Sequence, residues 1–252
     1  MRLIPYGGFI VCYYVLRALV VTSQTRLFSI SFLDVGQGDA FVINIPEYGR
    51  VMIDTGADYQ SHYLAARKAV FPRCDITSVF ITHYDSDHAG GLARLNRYCR
   101  ALPVYDTMQY GDVVHLGTTT KLYVLSPPDS NPLRTINDNS LVFLLKHREF
   151  EALLTGDAGL AVLEPVAKLI ADYKKQGLLA GDLDVYKLAH HGSSYNTSAY
   201  LLEALHPVRC VVSVGRNNYG HPSSHVIQAA VAVGCLLHRT DTDGTLTLTS
   251  AL

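Results

Sequence analysis

The chain has 252 residues, a formal net charge of −1 and 48% hydrophobic residues. A length of this order with that apolar content supports one substantial core, so a single main domain is expected. Its 21 lysines and arginines are offset by 22 aspartates and glutamates, which argues against a protein that holds nucleic acid by bulk electrostatics. A nucleic-acid substrate would have to be bound by local groups.

The first 23 residues differ in composition from the rest. A basic start at Arg2, an apolar stretch over 3–21 and small side chains up to Ser23 fit a secretory signal cleaved before Gln24. Arg17 interrupts that stretch, and it also argues against a full membrane span, which needs about 20 mostly apolar residues. A membrane-associated anchor and a packed helix of the domain therefore stay open as alternatives.

Cleavage at that point would leave four cysteines: Cys74, Cys99, Cys210 and Cys235. An even number permits disulfides in an oxidising compartment without demonstrating them. No pair has CxxC spacing, which argues against a structural zinc–thiolate site.

The remaining chain alternates predicted strands and helices. Strands are expected at 27–35, 40–45, 50–54, 78–81, 122–125, 141–147, 152–155, 185–188, 209–214, 236–238 and 245–248. Helices are expected at 62–70, 91–98, 159–174, 197–205 and 225–233. Two mixed β-sheets with helices outside predict an α/β fold of the αββα sandwich type.

The most informative stretch is THYDSDHAGG at 82–91, directly after the apolar run 78–81. It holds four candidate metal ligands: His83, Asp85, Asp87 and His88. Such close donor groups are electrostatically costly unless a cation neutralises them. They follow a predicted buried strand, at the end where open α/β sheets place their sites. The pattern predicts a metal site, and the paired glycines Gly90 and Gly91 are expected to let the backbone turn tightly into a helix.

Two later strand ends repeat this arrangement. LLTGD at 153–157 places Asp157 after an apolar strand, and DVYKLAHHGS at 184–193 places His190 and His191 after another. Three strand ends that deliver His and Asp supply enough ligands for two divalent ions.

The order of these motifs resembles that of the metallo-β-lactamase superfamily, and within it that of the ComEC-type hydrolase-like domain of bacterial DNA-uptake channels. The matching segments are 32–40, 53–56, 83–91, 139–140, 154–157, 190–193, 213–215, 218–222 and 239–241. The resemblance implies the αββα fold, two divalent metal ions (zinc or manganese) and hydrolysis. The domains predicted on this basis are 1–23 as signal peptide or anchor and 24–252 as the hydrolase domain.

Two departures from the common superfamily pattern concern the first metal position. Asp85 stands where the common motif has a histidine, and 137–140 (NDNS) stands where a separate strand histidine is usual. The ComEC-type proteins share both changes. His115 and His147, the nearby histidines, are expected to be ordinary strand residues. A more oxygen-rich first site predicts that manganese supports faster turnover, although zinc binds more tightly.

The ligands assemble into two predicted positions. His83 and Asp85 are assigned to one metal and Asp87 and His88 to the other, with Asp157 as the bridge. Either His190 or His191 should complete the second position, and the sequence does not choose between them.

Weaker predictions concern residues around these ligands. Asp54 is expected to orient a ligand histidine. His221 is expected to protonate the leaving group or to bind phosphate, with a structural loop histidine as the alternative. Asn139 is expected to take the place of the missing histidine as a weak ligand or a hydrogen-bond donor to substrate. The predicted catalytic residues are Asp87, His221 and Asn139.

The leading functional hypothesis is a binuclear metal-dependent phosphodiesterase or nuclease that acts on DNA, single-stranded DNA above all, or on another nucleic acid. The alternatives are a small phosphodiester hydrolase, such as a phosphorylcholine esterase, and a non-catalytic interaction domain that retains the fold. No stable partner is evident, and membrane association would depend on 1–23. The expected location is exported or membrane-associated, or cytoplasmic if the N-terminus is not a signal.

Overall fold

A computed structural model describes residues 27–58, 74–126, 135 and 137–250. The predicted N-terminal segment 1–23 and the predicted helix at 62–70 lie outside these residues.

The described residues form two β-sheets flanked by helices. The strands are β1 (Phe28–Phe32), β2 (Phe41–Ile45), β3 (Gly49–Ile53), β4 (Ile76–Phe80), β5 (Val104–Tyr105), β6 (Val113–Leu116), β7 (Thr120–Ser126), β8 (Val142–His147), β9 (Phe150–Leu154), β10 (Val185–Lys187), β11 (Arg209–Val212), β12 (Leu236–Arg239) and β13 (Leu246–Ser250). The helices are α1 (Ser86–Ala89), α2 (Leu92–Cys99), α3 (Leu160–Lys175), α4 (Ala199–Leu205), α5 (Ser224–Ala232) and α6 (Thr240–Asp243). Short 3₁₀ turns cover Asn137–Asn139 and Ala189–Gly192.

Both sheets mix parallel and antiparallel strands. The first has the order β13-β1-β2-β3-β4-β5, and the second has the order β12-β11-β10-β9-β8-β7-β6. Strands β3, β4 and β5 are parallel in the first sheet, and β9, β10, β11 and β12 are parallel in the second. The predicted hairpin of β1 and β2 is confirmed, with Ile30 opposite Ile43. The predicted αββα sandwich is also confirmed.

Buried apolar side chains form three clusters between the layers of the fold. Side chains from both sheets, such as Phe32 and Phe143, pack between the sheets. Val166 on α3 and Leu202 on α4 pack against the outer face of the second sheet, and Leu95 on α2 packs against the outer face of the first. Burial of these faces on both sides of each sheet explains why the strands read as apolar runs.

The two histidines expected to be ordinary strand residues lie on strands. His115 is on β6 and His147 is on β8. His147 is buried, stacks on Phe28 with ring centroids 4.0 Å apart, and has Nδ1 2.7 Å from Thr120 Oγ1.

Gly90 and Gly91 lie in the turn that leads into α2, which begins at Leu92. Neither has a positive φ, and α1 begins before them, at Ser86. A Cβ on Gly90 would lie 2.2 Å from Ser86 O, and one on Gly91 would lie 2.5 Å from Thr55 O. A Cβ on Gly90 would also lie 2.9 Å from Asp58 N, so glycine is needed in this turn because the backbone after β3 passes too close for a side chain.

Two disulfides cross-link the domain. Cys74–Cys99 ties the segment just before β4 to the end of α2, and Cys210–Cys235 ties β11 to the residue before β12. No helix in the described part of the chain has the length and apolarity that a bilayer crossing requires.

Candidate metal centre

The candidate ligands meet where parallel strands end. Asp54 follows β3, the 83–88 segment follows β4, Asp157 follows β9, and the His190–His191 pair follows β10. Because the carboxyl ends of parallel strands share an edge, residues far apart in sequence converge there.

Four buried side-chain atoms that could bind a metal lie where these strand ends meet, and none has a hydrogen-bond partner among the described residues. They are Nε2 of His83, Nε2 of His88, Nε2 of His191 and Oδ1 of Asp157. Asp157 lies in the middle: its Oδ1 is 3.2 Å from His88 Nε2, and its Oδ2 is 3.9 Å from His83 Nε2 and 3.8 Å from His191 Nε2. Buried polar atoms are costly when unpaired, and a cation among these four atoms would pair them. Imidazole and carboxylate donors suit zinc or manganese.

The outer nitrogens of these imidazoles are held so that Nε2 faces the cluster. His191 Nδ1 donates to Ser213 O at 2.8 Å, and His88 Nδ1 lies 2.8 Å from Asp54 Oδ2. A carboxylate or carbonyl on Nδ1 places the proton there and leaves Nε2 free to bind a metal.

His83 is oriented through a hydroxyl. Thr82 Oγ1 donates its hydrogen to Asp54 Oδ2 at 2.7 Å, so it accepts from His83 Nδ1, 3.1 Å away. Asp54 therefore fixes His88 directly and His83 through Thr82. The prediction that Asp54 orients a histidine agrees with this geometry.

The aspartates of the motif approach the same centre from the solvent side. Asp87 Oδ2 lies 3.2 Å from His191 Nε2, and Asp85 Oδ2 lies 3.6 Å from His83 Nε2. The Asp85 side chain is 43% exposed and Asp87 is partly buried. The structure thus brings Asp85 beside His83, and Asp87 beside His88 and His191.

The two histidines that the sequence could not separate have different positions. His191 is buried, whereas the side chain of His190 is 31% exposed, with its Nε2 3.5 Å from Asp157 Oδ2. Both have a left-handed backbone, with φ of 49° for His190 and 54° for His191. Such angles are unfavourable for non-glycine residues and collect at functional sites. His191 is the better placed for the position beside Asp87.

Charges within the cluster perturb its titration. Burial lowers the pKa of His88, but Asp157, Asp39 and Asp54 outweigh burial and raise that pKa well above its ordinary value. Burial raises the pKa of Asp87, but the contact with His191 and the neighbouring imidazoles lower it to about 2. Burial likewise opposes ionisation of Asp157, yet His88, His191 and Lys187 hold its pKa well below the usual range.

An open cavity of about 620 Å³ leads from solvent to this centre. His190, His191 and His221 form part of its wall together with Asp87 and Asp157. Asn217 clamps the His221 loop, because its Oδ1 accepts from His221 N at 3.1 Å and its Nδ2 donates to His221 O at 2.8 Å. Burial and the nearby His190 and His191 lower the pKa of His221.

A family model of the metallo-β-lactamase superfamily matches residues 33–112, the stretch that includes Asp54 and the 83–88 ligands. Over these residues the chain is similar to the metallo-β-lactamase superfamily. Known structures with this fold include a metal-dependent hydrolase of the β-lactamase superfamily, with a TM-score of 0.56, 11% identity and coverage of 88% of this chain and 100% of that one. Zinc-bound PqqB from Methylobacterium extorquens has a TM-score of 0.55 and 12% identity, covering 87% of this chain and 99% of that one.

The curated relatives are competence and recombination proteins. ComE operon protein 3 of Bacillus subtilis is 25% identical over 86% of this chain and 32% of its own length. Recombination protein 2 of Haemophilus influenzae is 26% identical over 84% of this chain and 27% of its own length. Competence protein ComA of Neisseria gonorrhoeae is 26% identical over 86% of this chain and 32% of its own length. The chain thus spans about a third of the length of these relatives.

The prediction for Asn139 is not supported by the structure. Asn139 is exposed at the end of the 3₁₀ turn, and no hydrogen bond or ion pair among the described residues joins it to the cluster. Its neighbours contact the site instead: Ser140 Oγ accepts from Asp157 N at 3.2 Å and lies 3.4 Å from His83 Nδ1. Asn137 Nδ2 lies 3.5 Å from His190 Nδ1. Asn137 and Asn139 lie in one 3₁₀ turn and Ser140 directly follows it, so their side chains point in different directions. The sequence does not show which of them faces the site.

One part of the centre that sequence reasoning missed is a buried ion pair. Lys187 and Asp39 are fully buried and in contact, and Lys187 Nζ donates to Gly156 O at 3.1 Å. Lys187 Nζ also lies 4.0 Å from Asp157 Oδ1, while Asp39 Oδ1 lies 3.6 Å from His191 Nδ1. A lysine inside the apolar run that leads to His190 was the available signal, because a buried lysine requires a partner.

Proposed function

We propose that this chain is a metal-dependent phosphodiesterase that hydrolyses single-stranded DNA. The observation that carries the proposal is the set of four unpartnered ligand atoms at the base of an open cavity. The similarity to competence proteins supports nucleic acid as the substrate. The superfamily fold supports metal-dependent hydrolysis.

The residues fit two divalent ions. His83, Asp85 and Asp157 would hold the first, and Asp87, His88, His191 and Asp157 would hold the second. His83, His88 and Asp157 form one candidate group, and Asp87, His88 and His191 form another. Because His88 has one Nε2, this division assigns it to the second ion only. When bound, such a pair lowers the pKa of water and stabilises charge that develops on a phosphoryl group.

The chain's own residues provide the remaining steps. His221 stands on the cavity wall with its ring 5.6 Å from that of His190, where it would donate a proton to the departing oxygen. Asn217 holds the loop that positions His221. Lys187 offsets buried carboxylate charge behind the ligands and anchors the carbonyl of Gly156 directly before Asp157.

The test is to strip the protein with chelator, restore one metal at a time and measure hydrolysis of bis(p-nitrophenyl) phosphate and of a single-stranded oligonucleotide. We expect both activities to return with a divalent ion, faster with manganese than with zinc, because Asp85 makes the first position oxygen-rich. Asp157→Ala should abolish both activities, whereas Asp172→Ala, an exposed aspartate of α3, should leave them unchanged. Absence of hydrolysis with every divalent ion would refute the proposal and favour a non-catalytic domain.

We further propose that the domain works in an oxidising compartment, exported or held at a membrane. The two disulfides support this, because such bonds persist outside the reducing cytosol. Mass spectrometry of protein from the native cell, alkylated with and without reduction, tests it. We expect four protected cysteines and a mature start near Gln24; free thiols and an intact Met1 would contradict it.

A further inference from the structure

Two tyrosines at the mouth of the cavity are unusually exposed for aromatic side chains. Tyr195 is 86% exposed and Tyr219 is 77% exposed, and both line the cavity that leads to Asp157. Among the described large hydrophobic side chains these two have the greatest exposure. Tyr84, which lies next to His83, differs because its hydroxyl donates to Asp106.

Both tyrosines stand on backbone that is fixed to the site. Tyr195 N donates to Ser193 Oγ at 3.2 Å, and the neighbouring Asn196 donates from Nδ2 to Asp157 O at 3.0 Å. Tyr219 N donates to Asn217 Oδ1 at 3.1 Å, in the same clamp that holds His221. The backbone that carries each exposed ring is therefore anchored beside the site.

The ring of Tyr219 begins a series of aromatic contacts that leads inward. It stacks with the ring of His221 at 6.0 Å and an interplanar angle of 27°, and His221 contacts His190 edge to face at 5.6 Å. His190 Nε2 then lies 3.5 Å from Asp157 Oδ2. A planar group stacked on Tyr219 would place an attached phosphodiester on the side of the metal centre.

The cavity offers little electrostatic attraction for a nucleic acid. None of the described residues in its wall is lysine or arginine. Stacking on exposed aromatic rings is the other main way to hold single strands, and it tolerates any base.

We propose that Tyr195 and Tyr219 are specificity-determining residues that stack unpaired bases on the two sides of the phosphodiester under attack. This inference rests on the proposed function and names the part of the substrate that the site recognises. It makes base contact, rather than phosphate contact, the basis of affinity.

The experiment measures binding rather than turnover. Manganese-loaded protein is titrated against two fluorescent single-stranded oligonucleotides with phosphorothioate linkages, one of thymidines and one of abasic residues, by anisotropy. Because stacking contributes about 1–3 kcal/mol per base, Tyr219→Ala and Tyr195→Ala should each weaken binding of the thymidine strand about 5- to 150-fold. Binding of the abasic strand should not change, and Tyr219→Phe should keep wild-type affinity because it keeps the aromatic face.

The matched control is Tyr48→Ala, since Tyr48 is an exposed tyrosine before β3, at the end of the first sheet opposite Asp54. Affinity for the thymidine strand should also fall only weakly with added salt, because few cationic side chains contact phosphate.

Equal affinity of wild-type protein for both strands, or no binding of either, would overturn the proposal. An unchanged thymidine affinity of both alanine variants would also overturn the proposal. Choline is added as a competitor in that case, because aromatic faces also bind quaternary ammonium groups.

Failure of the proposed function has a different signature. If wild-type protein does not hydrolyse bis(p-nitrophenyl) phosphate but still prefers thymidines through the two tyrosines, the chain binds single strands without cleaving them. If it hydrolyses that diester but shows no base preference, the catalytic proposal stands and the stacking proposal falls.

Discussion

The substitution Asp54→Asn tests how the histidines are held. The Asp54 carboxylate accepts from Thr82 N at 2.8 Å with Oδ1, and its Oδ2 contacts Thr82 Oγ1 at 2.7 Å and His88 Nδ1 at 2.8 Å. Asparagine keeps the shape of the side chain. It also tolerates the left-handed backbone at this position, where φ is 55°. The substitution therefore changes chemistry with little change in conformation.

The new amide should reverse the hydrogen bonds that fix the imidazoles. If the amide oxygen keeps the bond from Thr82 N, the NH₂ group replaces Oδ2 and donates to His88 Nδ1. His88 then carries its proton on Nε2, the atom that faces Asp157, and cannot bind a metal in that form. Loss of such a supporting partner costs about 10- to 100-fold in metal affinity, or about 1.4–2.7 kcal/mol. We expect the upper part of that range, because Thr82 also loses the acceptor through which it orients His83.

The assay is a competition titration of chelator-stripped protein with manganese and then zinc, using a chromophoric chelator. Circular dichroism of the same samples separates a loss of metal binding from a loss of folding. The control is Asp58→Asn, because Asp58 is an exposed carboxylate paired with Arg94. A folded Asp54→Asn protein with wild-type metal affinity would refute the role assigned to Asp54.

Replacing both cysteines of Cys210–Cys235 by serine should lower the free energy of unfolding by about 3.5 kcal/mol, given a sequence separation of 25, as measured by urea denaturation; a loss below about 1 kcal/mol would contradict the loop-closure argument. His221→Gln should slow oligonucleotide hydrolysis about 10²- to 10⁴-fold. It should slow bis(p-nitrophenyl) phosphate hydrolysis much less, because p-nitrophenolate leaves without a proton. Equal losses of rate on both substrates would contradict the role of His221 as a proton donor. Metal binding should release protons, because the raised pKa of His88 keeps its imidazole charged in the metal-free protein, whereas a metal ligand must be neutral. Calorimetry should therefore show a metal affinity that rises with pH, by about tenfold per pH unit for each proton released. A metal affinity that stays constant between pH 6 and 8 would contradict this.

The fold was predictable because its signals are local. Apolar runs marked β4 and β9, and the spacing of apolar residues marked α3 within one residue at each end. The short strand β5 and the short helix α6 were not predicted, since two to four residues carry too little periodicity.

The convergence of the candidate ligands was predictable because each follows a strand, and the carboxyl ends of parallel strands share an edge. The choice between His190 and His191 was not, because it depends on two consecutive left-handed backbone conformations. The pairing of Lys187 with Asp39 was also hidden, since only the packing of one sheet against the other brings β10 next to the turn after β1. Tertiary contacts of this kind leave no local pattern.

The measurement that tests the central claim most directly is the number of metal ions bound per chain at equilibrium. Chelator-stripped wild-type protein, Asp157→Ala and Asp172→Ala are dialysed against excess manganese or zinc, and the bound metal is quantified by inductively coupled plasma mass spectrometry. Because the proposed assignment places Asp157 in both ligand sets, we predict about two ions per chain for wild-type protein and for Asp172→Ala, and fewer for Asp157→Ala. Wild-type protein that binds neither metal, or Asp157→Ala protein that binds as much as wild type, would contradict the account.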